Sequence, residues 1–392
     1  MTPAARVQSA IELLDLIIDA ARAQGAPADR IIAEWFKARR FAGSKDRRAI
    51  RELVFAAIRV CGPVPASGRA AMLRLAEADA AVAGLFDGSS YGPAVIAPGE
   101  PVGEGGIAPE WLAERLAASG IDGDGALALL ERAPLDLRVN SLKASREGLA
   151  LPAEAVATEA PMGLRLAPGT PVEQWDAFKG GLIEVQDTGS QLACLAVGAA
   201  PGEAVIDLCA GGGGKTLALA AAMENQGRLI ASDTDRQRLS RLAPRAARAG
   251  GTMIETLLLV PGRELVALGD IAGQADAVLV DAPCSGTGTW RRNPEARWRL
   301  TQEGLTRLLA VQARLLDIAA RLVKPGGRIV YVVCSLLDSE GADQFDAFLA
   351  RHPRFSPTPP ALPLGSARGE GLRLSPFHDG TDGFFIACAT LS

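Results

Sequence analysis

The chain has 392 residues, of which 48% are hydrophobic and 22% charged; this is the composition of a globular protein and excludes a disordered or fibrous one. At about 150 residues per domain the length predicts two to three domains, and no apolar run approaches the roughly 18 to 20 residues that a membrane-spanning helix needs. A formal net charge of −4 excludes a global basic field, so any contact with nucleic acid must rest on local clusters.

Residues 1–85 read as helices. Val7, Ile11, Leu14, Ile17 and Ala21 form a helical stripe, and Glu12 and Asp15 within it mark an amphipathic helix, not a signal peptide. Ile31, Ile32 and Trp35 continue the pattern over Ala28–Phe41. Ser44 caps a third helix over Lys45–Arg59, and Gly68–Phe86 forms a fourth. Residues 87–108 are rich in Gly and Pro, lack a period and read as a long loop or linker. Pro109 opens another helix, and Ala126–Arg132 adds one more. From 135 the character changes: LDLRVNSL is an alternating strand. Beyond 180, strand, loop and helix repeat. Strands are predicted over Ala204–Leu208, Arg228–Ser232, Ala277–Val280 and Arg328–Val333. Helices are predicted over Lys215–Met223, Arg236–Arg248, Thr301–Val323 and Asp338–Ala350, with a closing hairpin over Leu372–Leu391. Such alternation implies a mostly parallel sheet with helices on both faces and ligands at the carboxyl ends of its strands.

DLCAGGGGKT (207–216) joins a predicted strand to a predicted helix. Consecutive glycines let a ligand approach the backbone and the free N–H groups of the helix start. A P-loop requires glycine where Cys209 stands, and a GxGxxG dinucleotide loop lacks its third small residue here. The third reading is S-adenosylmethionine, whose sulfonium and ribose hydroxyls favour carboxylates; Asp207, Asp233 and Asp281 all end predicted strands. A tight turn whose neighbouring acids cap helices remains the alternative. Of the six cysteines, those at 61, 194 and 388 lie in apolar runs and read as core. No cysteine pair has zinc-ligand spacing and there are two histidines, so neither a metal site nor a disulfide framework is expected; reduced thiols fit a cytoplasmic protein.

Cys284 and Cys334 differ. Each follows a predicted strand and has polar flanks, in DAPCSGTGTWRRNPEARW and YVVCSLLDSE. If those strands are neighbours, both thiols face the crevice of the glycine loop. A thiol beside a methyl donor has a specific use. Carbon 5 of a pyrimidine is a poor nucleophile, and a thiolate that adds to carbon 6 activates it. One cysteine suffices for attack, a second can assist breakdown of the adduct, and an acid such as Asp281 can hydrogen-bond the ring near N3.

LCAGGGGKT, Asp233, DAPCSGTG followed by RRNP, and VVCS resemble the Sun/Fmu-type, RsmB-like ribosomal RNA cytosine-C5 methyltransferases. GLIEVQDTGSQLA (181–193) resembles the family's lead-in to its catalytic part, PLDLRVNSLKA (134–144) the start of its small middle domain, and RRFAGSKDRRAIRELVFAAIR (39–59) its NusB-like domain. The resemblance implies a multi-domain chain. An all-α NusB-like RNA-binding domain would span 1–130, a small α/β RNA-recognition-like domain 131–180, and an α/β Rossmann-like class I methyltransferase domain 181–392. It further implies that Cys209, Ala210, Gly211, Gly212, Gly213, Gly214 and Lys215 cradle S-adenosylmethionine and that Asp233 holds its ribose. Asp281 would lie between cofactor and base, Cys334 would be the nucleophile, and Cys284 would aid release. Three departures stand out: Gly211 and Gly212 replace Ala and Pro, Gly262 falls where an acid is usual with Asp270 nearby, and Asp338, Glu340 and Gly341 stand where Pro and then Glu-Asn follow the second cysteine.

Two basic clusters are candidate RNA contacts: Arg39, Arg40, Lys45, Arg47 and Arg48, and then Arg291 and Arg292, which are interleaved with Trp290 and Trp298. Each could equally be a solvated face or core tryptophan. Arg236, Arg238, Arg241, Arg245 and Arg248 on one helix read as a solvated face. The expected partner is small-subunit ribosomal RNA, bound by a monomer. The competing expectation is a ribosome-assembly or RNA-binding factor on a weakened methyltransferase fold.

Overall fold

In the computed structural model, which describes residues 1–39 and 42–392, the N-terminal apolar stripe becomes helix α1 (Pro3–Arg22). The Thr2 hydroxyl caps it by accepting from the Ala5 N–H. Helices α2 (Ala28–Ala38), α3 (Ser44–Val60) and α4 (Gly68–Ala78) follow. The predicted fourth helix breaks at Asp79, whose extended backbone and side chain cap a separate turn, Ala80–Ala83. Leu14, Ile17, Ile50, Val54, Ile58 and Met72 share one core. At Gly68 a Cβ would lie 2.2 Å from the Ile11 carbonyl oxygen, so only glycine lets α4 start against the α1 backbone. Asp15 accepts from the Gly68 N–H at 2.6 Å, which explains an acid inside the α1 pattern.

These helices belong to a compact unit made of Met1–Glu131 and Trp290–Thr301. The second stretch lies, by sequence order, deep in the predicted catalytic domain. Trp290 and Trp298 are buried, and Trp298 joins the helical core. Arg297, fully buried, donates to the carbonyls of Ile58, Arg59 and Cys61 and so satisfies the end of α3. The tryptophans are therefore core, not stacking platforms.

The other unit, Arg132–Thr289 with Gln302–Ser392, holds two sheets. Strands β1 (Leu135–Val139), β2 (Val156–Ala157), β3 (Gly163–Leu166) and β4 (Ile183–Val185) form a four-stranded antiparallel sheet in the order β2-β3-β1-β4. The polar positions of β1 are not solvated as alternation suggests. Asp136 and Arg138 are buried, with Asp136 accepting from Arg165 and Thr188 and Arg138 donating to Gln186.

The larger sheet contains β5 (Ala204–Asp207), β6 (Arg228–Asp233), β7 (Ile254–Leu258), β8 (Ala275–Asp281), β9 (Val323–Val333), β10 (Phe355–Pro357), β11 (Ser366–Arg368), β12 (Gly371–Leu374) and β13 (Phe384–Leu391). Its order is β11-β12-β13-β9-β8-β5-β6-β7, with β10 also on β13. Strands β5 to β9 pair in parallel, and β10 to β13 extend the sheet antiparallel. Both faces are buried: Ile206, Val278 and Ile329 point into one core, Val205, Ala277 and Val330 into the other. From β5 the chain runs outward to β6 and β7, then returns to β8 on the other side. That reversal opens a crevice at the carboxyl ends of β5 and β8. Among the described residues no helix is long and apolar enough to cross a membrane.

Candidate active site

The crevice collects the strand-end residues. After β5 the chain turns through the glycine loop into the helix Gly214–Ala222. Gly211 (φ 54°) and Gly213 (φ 82°) adopt left-handed backbone. The loop is tied to β6: the Ala210 N–H donates to the Ser232 carbonyl and the Gly211 N–H to Asp233 Oδ2, each at 2.8 Å. Asp233 Oδ1 accepts from the Asp235 N–H at 2.8 Å. A Cβ at Gly214 would meet nothing within 4 Å, so the helix start faces open space.

Asp207 is buried at the end of β5. Its Oδ2 accepts from Thr216 Oγ1 at 2.6 Å, and its Oδ1 has no hydrogen-bond partner. Burial pushes its carboxyl up to about 7, and the charges of Asp281 and Asp233 act in the same direction. Lys215 donates to Asp281 Oδ2 at 2.8 Å and lies 5.6 Å from the centre of the Phe384 ring. Burial opposes the Lys215 ammonium, but the charge and hydrogen bond of Asp281, together with the Cys194 and Cys334 thiols, outweigh it and raise the lysine above its ordinary range. Three acids around a glycine loop, one with an orphaned buried oxygen, fit a ligand that is cationic and rich in hydroxyls. They do not suit a bare phosphate.

Strands β8 and β9 are neighbours. Cys284, three residues past β8, and Cys334, directly past β9, bring their sulfurs to 3.4 Å. The adjacent Cys334 sulfur and burial both push the Cys284 thiol well above the usual range. Burial does the same to Cys209. Cys61, Cys194 and Cys388 are buried, with thiols pushed by burial up to about 11, 11 and 12.

The departures have physical counterparts. Arg245 donates to the Gly212 carbonyl at 2.5 Å and to Glu184 at 2.9 Å, while Arg238 covers Gly211 so closely that a Cβ there would lie 2.7 Å from its guanidinium. Arg248 also pairs with Glu184 and lies 4.2 Å over the Phe178 ring. The arginine-rich stretch breaks at Ser240 and Arg241; Arg236, Arg238 and Arg241 are exposed as a solvated face requires, while Arg245 bonds the glycine loop, Arg238 lies over Gly211 and Arg248 turns to Glu184. A Cβ at Gly341 would lie 2.8 Å from the Phe385 ring, which excludes a larger residue without movement of that ring. Gly262 lies beyond the carboxyl end of β7. Asp270 leads into the amino end of β8, the opposite end of the sheet from the site, and is exposed.

The basic clusters divide. Lys45, Arg47 and Arg48 are exposed on α3. Arg39 lies 4.2 Å over the Trp35 ring and Arg47 5.6 Å over Phe36. Arg40 lies outside the described residues. Arg291 is a correction: it is only 5% exposed, because its segment is packed into the helical core, so it presents no open face to RNA. Arg292 is half-buried. Sequence reasoning noted Glu340 only as a departure six residues after Cys334 and gave it no role; it is fully buried and joins the two cysteine loops.

A family model described as "16S rRNA methyltransferase RsmB/F" matches residues 194–390. The chain is 37% identical over 289 residues to "Ribosomal RNA small subunit methyltransferase B" of Xylella fastidiosa (strain Temecula1), covering 71% of this chain and 66% of that relative. The chain therefore spans just under two thirds of that relative's length. The solved structure of PH0851 superposes with a TM-score of 0.78 at 27% identity, covering 100% of this chain and 99% of that one. A methyltransferase homolog protein from Pyrococcus horikoshii gives a TM-score of 0.58 at 25% identity, covering 72% and 99%. The α/β unit has the Rossmann-like fold of class I methyltransferases, with a helical N-terminal region before it.

Proposed function

The chain belongs to the 16S rRNA methyltransferase RsmB/F family, and from that premise we propose that it transfers a methyl group from S-adenosylmethionine to carbon 5 of a cytosine in small-subunit ribosomal RNA. The observation that carries this reading is the pair of sulfurs 3.4 Å apart, on the strand ends beside the glycine loop. When bound, S-adenosylmethionine supplies an electrophilic methyl carbon on a sulfonium. Residues 209–215 would hold it along the loop, with Asp207 and Asp233 accepting from its polar groups; both Asp233 oxygens already take a backbone N–H and each keeps a further lone pair. Asp281 would hydrogen-bond the base near N3, and the Lys215 ammonium behind it offsets charge developing there.

Cys334 adds to carbon 6, forming the S–C6 bond and leaving carbon 5 electron-rich. After methylation the adduct must break. The C5–H electron pair re-forms the C5=C6 bond and the C6–S pair leaves with the Cys334 sulfur. Cys284 hands its proton to that sulfur and takes up the proton from carbon 5. The helical unit, with Arg39, Lys45, Arg47 and Arg48, would serve as the NusB-like RNA-binding part, and the four-stranded sheet as the small RNA-recognition-like part.

Incubation with tritiated S-adenosylmethionine and unmodified small-subunit ribosomal RNA should yield labelled 5-methylcytidine. Cys334→Ala should abolish it, and Cys284→Ala should accumulate covalent RNA–protein adduct. Full methylation by Cys334→Ala rules out its role as nucleophile. The second reading, an RNA-binding assembly factor, draws on Gly262 and on Asp270 lying at the far end of the sheet. Calorimetry showing tight RNA binding without S-adenosylmethionine binding would favour it.

A further inference from the structure

Glu340 is 0% exposed, yet it carries a carboxylate. Burying such a group is costly unless donors surround it, and here they come from both cysteine loops. Its Oε1 accepts from the Ser285 N–H at 2.9 Å and from Gln312 Nε2 at 3.0 Å. Its Oε2 accepts from Ser335 Oγ at 2.6 Å and, at short range, from Ser285 Oγ. Gln312 also donates to the Pro283 carbonyl at 3.0 Å, and Tyr331 holds the Glu340 carbonyl at 2.6 Å. Each serine directly follows a cysteine, so one carboxylate fastens Cys284-Ser285 to Cys334-Ser335.

The two loops do not depend on it equally. Cys334 sits at the end of β9, and its carbonyl accepts from the Gly288 N–H at 3.1 Å. Cys284 lies in Ala282–Gly286, which has no regular structure. There the Ala282 N–H is held by Val332 at 2.9 Å, the Pro283 carbonyl by Gln312, which itself donates to Glu340, and Ser285 by Glu340 and by the Ser335 hydroxyl at 3.1 Å, so Glu340 or a group it holds carries each anchor of Pro283 and Ser285.

We propose that Glu340 is a positioning residue that sets the Cys284 thiol against Cys334 for release of the RNA adduct; this rests on the reading of the site given above. In that step the Cys284 thiol gives its proton to the departing Cys334 sulfur, which leaves with the C6–S electron pair, while the C5 proton passes to Cys284 and the C5–H pair re-forms the C5=C6 bond. Loss of Glu340 frees the irregular Cys284 loop while leaving Cys334 on its strand. Addition then continues and release slows, because a displacement near 1 Å costs on the order of 10²-fold in rate.

The test compares full-length Glu340→Ala, Glu340→Gln, Cys284→Ala and Cys334→Ala with the parent, on unmodified small-subunit ribosomal RNA and S-adenosylmethionine. Covalent adduct on denaturing gels and 5-methylcytidine formed are both counted. Glu340→Ala should accumulate adduct as Cys284→Ala does, with turnover reduced on the order of 10²-fold. Glu340→Gln should restore most turnover and show little adduct: its oxygen still accepts from Ser285 N–H and Gln312, and the serine hydroxyls can turn to accept from its amide. A folded Glu340→Ala with no more adduct than the parent overturns the proposal. If Glu340→Ala does not fold, Ser285→Ala/Ser335→Ala carries the same comparison: adduct above the parent supports the role and a parent-like amount overturns it. Methylation by Cys334→Ala, or no adduct with Cys284→Ala, removes the underlying reading instead.

Discussion

At Asp207 a buried carboxyl with one orphaned oxygen waits for a donor. Its folded value is pushed up from 3.8 to about 7, chiefly by burial. The native state therefore binds this proton more tightly than the unfolded chain. Its contribution to stability is complete below pH 3.8 and lost as pH rises through about 7. Asp207→Asn cannot ionise, and its amide oxygen can still accept from Thr216. The melting temperature of the ligand-free variant, relative to the parent, should rise between pH 5 and pH 8 by a few degrees, about 2–4 °C for each kcal/mol. A difference independent of pH across that window would contradict the raised value. The same variant should bind S-adenosylmethionine more weakly, since an amide replaces the anionic acceptor.

Among the elements, the glycine loop is the one whose conformation the site depends on. Gly213 has φ 82°, and a Cβ there would lie 2.1 Å from Leu242 Cδ1. Gly213→Ala should therefore lose about 1–2 kcal/mol from backbone strain alone and more from displaced Leu242. Cofactor affinity measured by calorimetry should fall at least about tenfold, equivalent to about 1.4 kcal/mol. The loop itself was legible in the sequence because glycine runs between strand and helix have few uses. Its clasp by Arg238 and Arg245 was not. Those arginines share a helix with Arg236 and Arg241, and spacing alone does not say which of them meets Gly211, Gly212 and Glu184 across the fold.

On the scale of the molecule, the helical unit is completed by a segment borrowed from the far side of the sequence, Trp290–Thr301. Arg297 is its anchor, donating to the Ile58, Arg59, Cys61 and Pro294 carbonyls while burial pushes its guanidinium down to about 10. Arg297→Met keeps the apolar stem and leaves those carbonyls without it, at about 1–3 kcal/mol for each one left unsatisfied. Urea unfolding followed by tryptophan fluorescence reports mainly on this unit, which holds Trp35, Trp111, Trp290 and Trp298, whereas Trp175 alone lies in the other. The variant should move that transition to lower urea, with a loss of several kcal/mol in unfolding free energy. An unchanged transition would show that water replaces the guanidinium at the end of α3.

The chain's own order of residues determined the helical start, the succession of parallel strands, the glycine loop and the two cysteines, because each is a local pattern of period, turn residue or strand end. Only the tertiary structure decided that β8 and β9 are neighbours and so bring Cys284 to 3.4 Å from Cys334. It also decided that Arg291 and both neighbouring tryptophans are buried, and that Glu340 joins the cysteine loops. The reason is distance along the chain. The cysteines are 50 residues apart and Ser285 is 55 from Glu340, and only the sheet order and the packing of its helices bring such groups within hydrogen-bond reach.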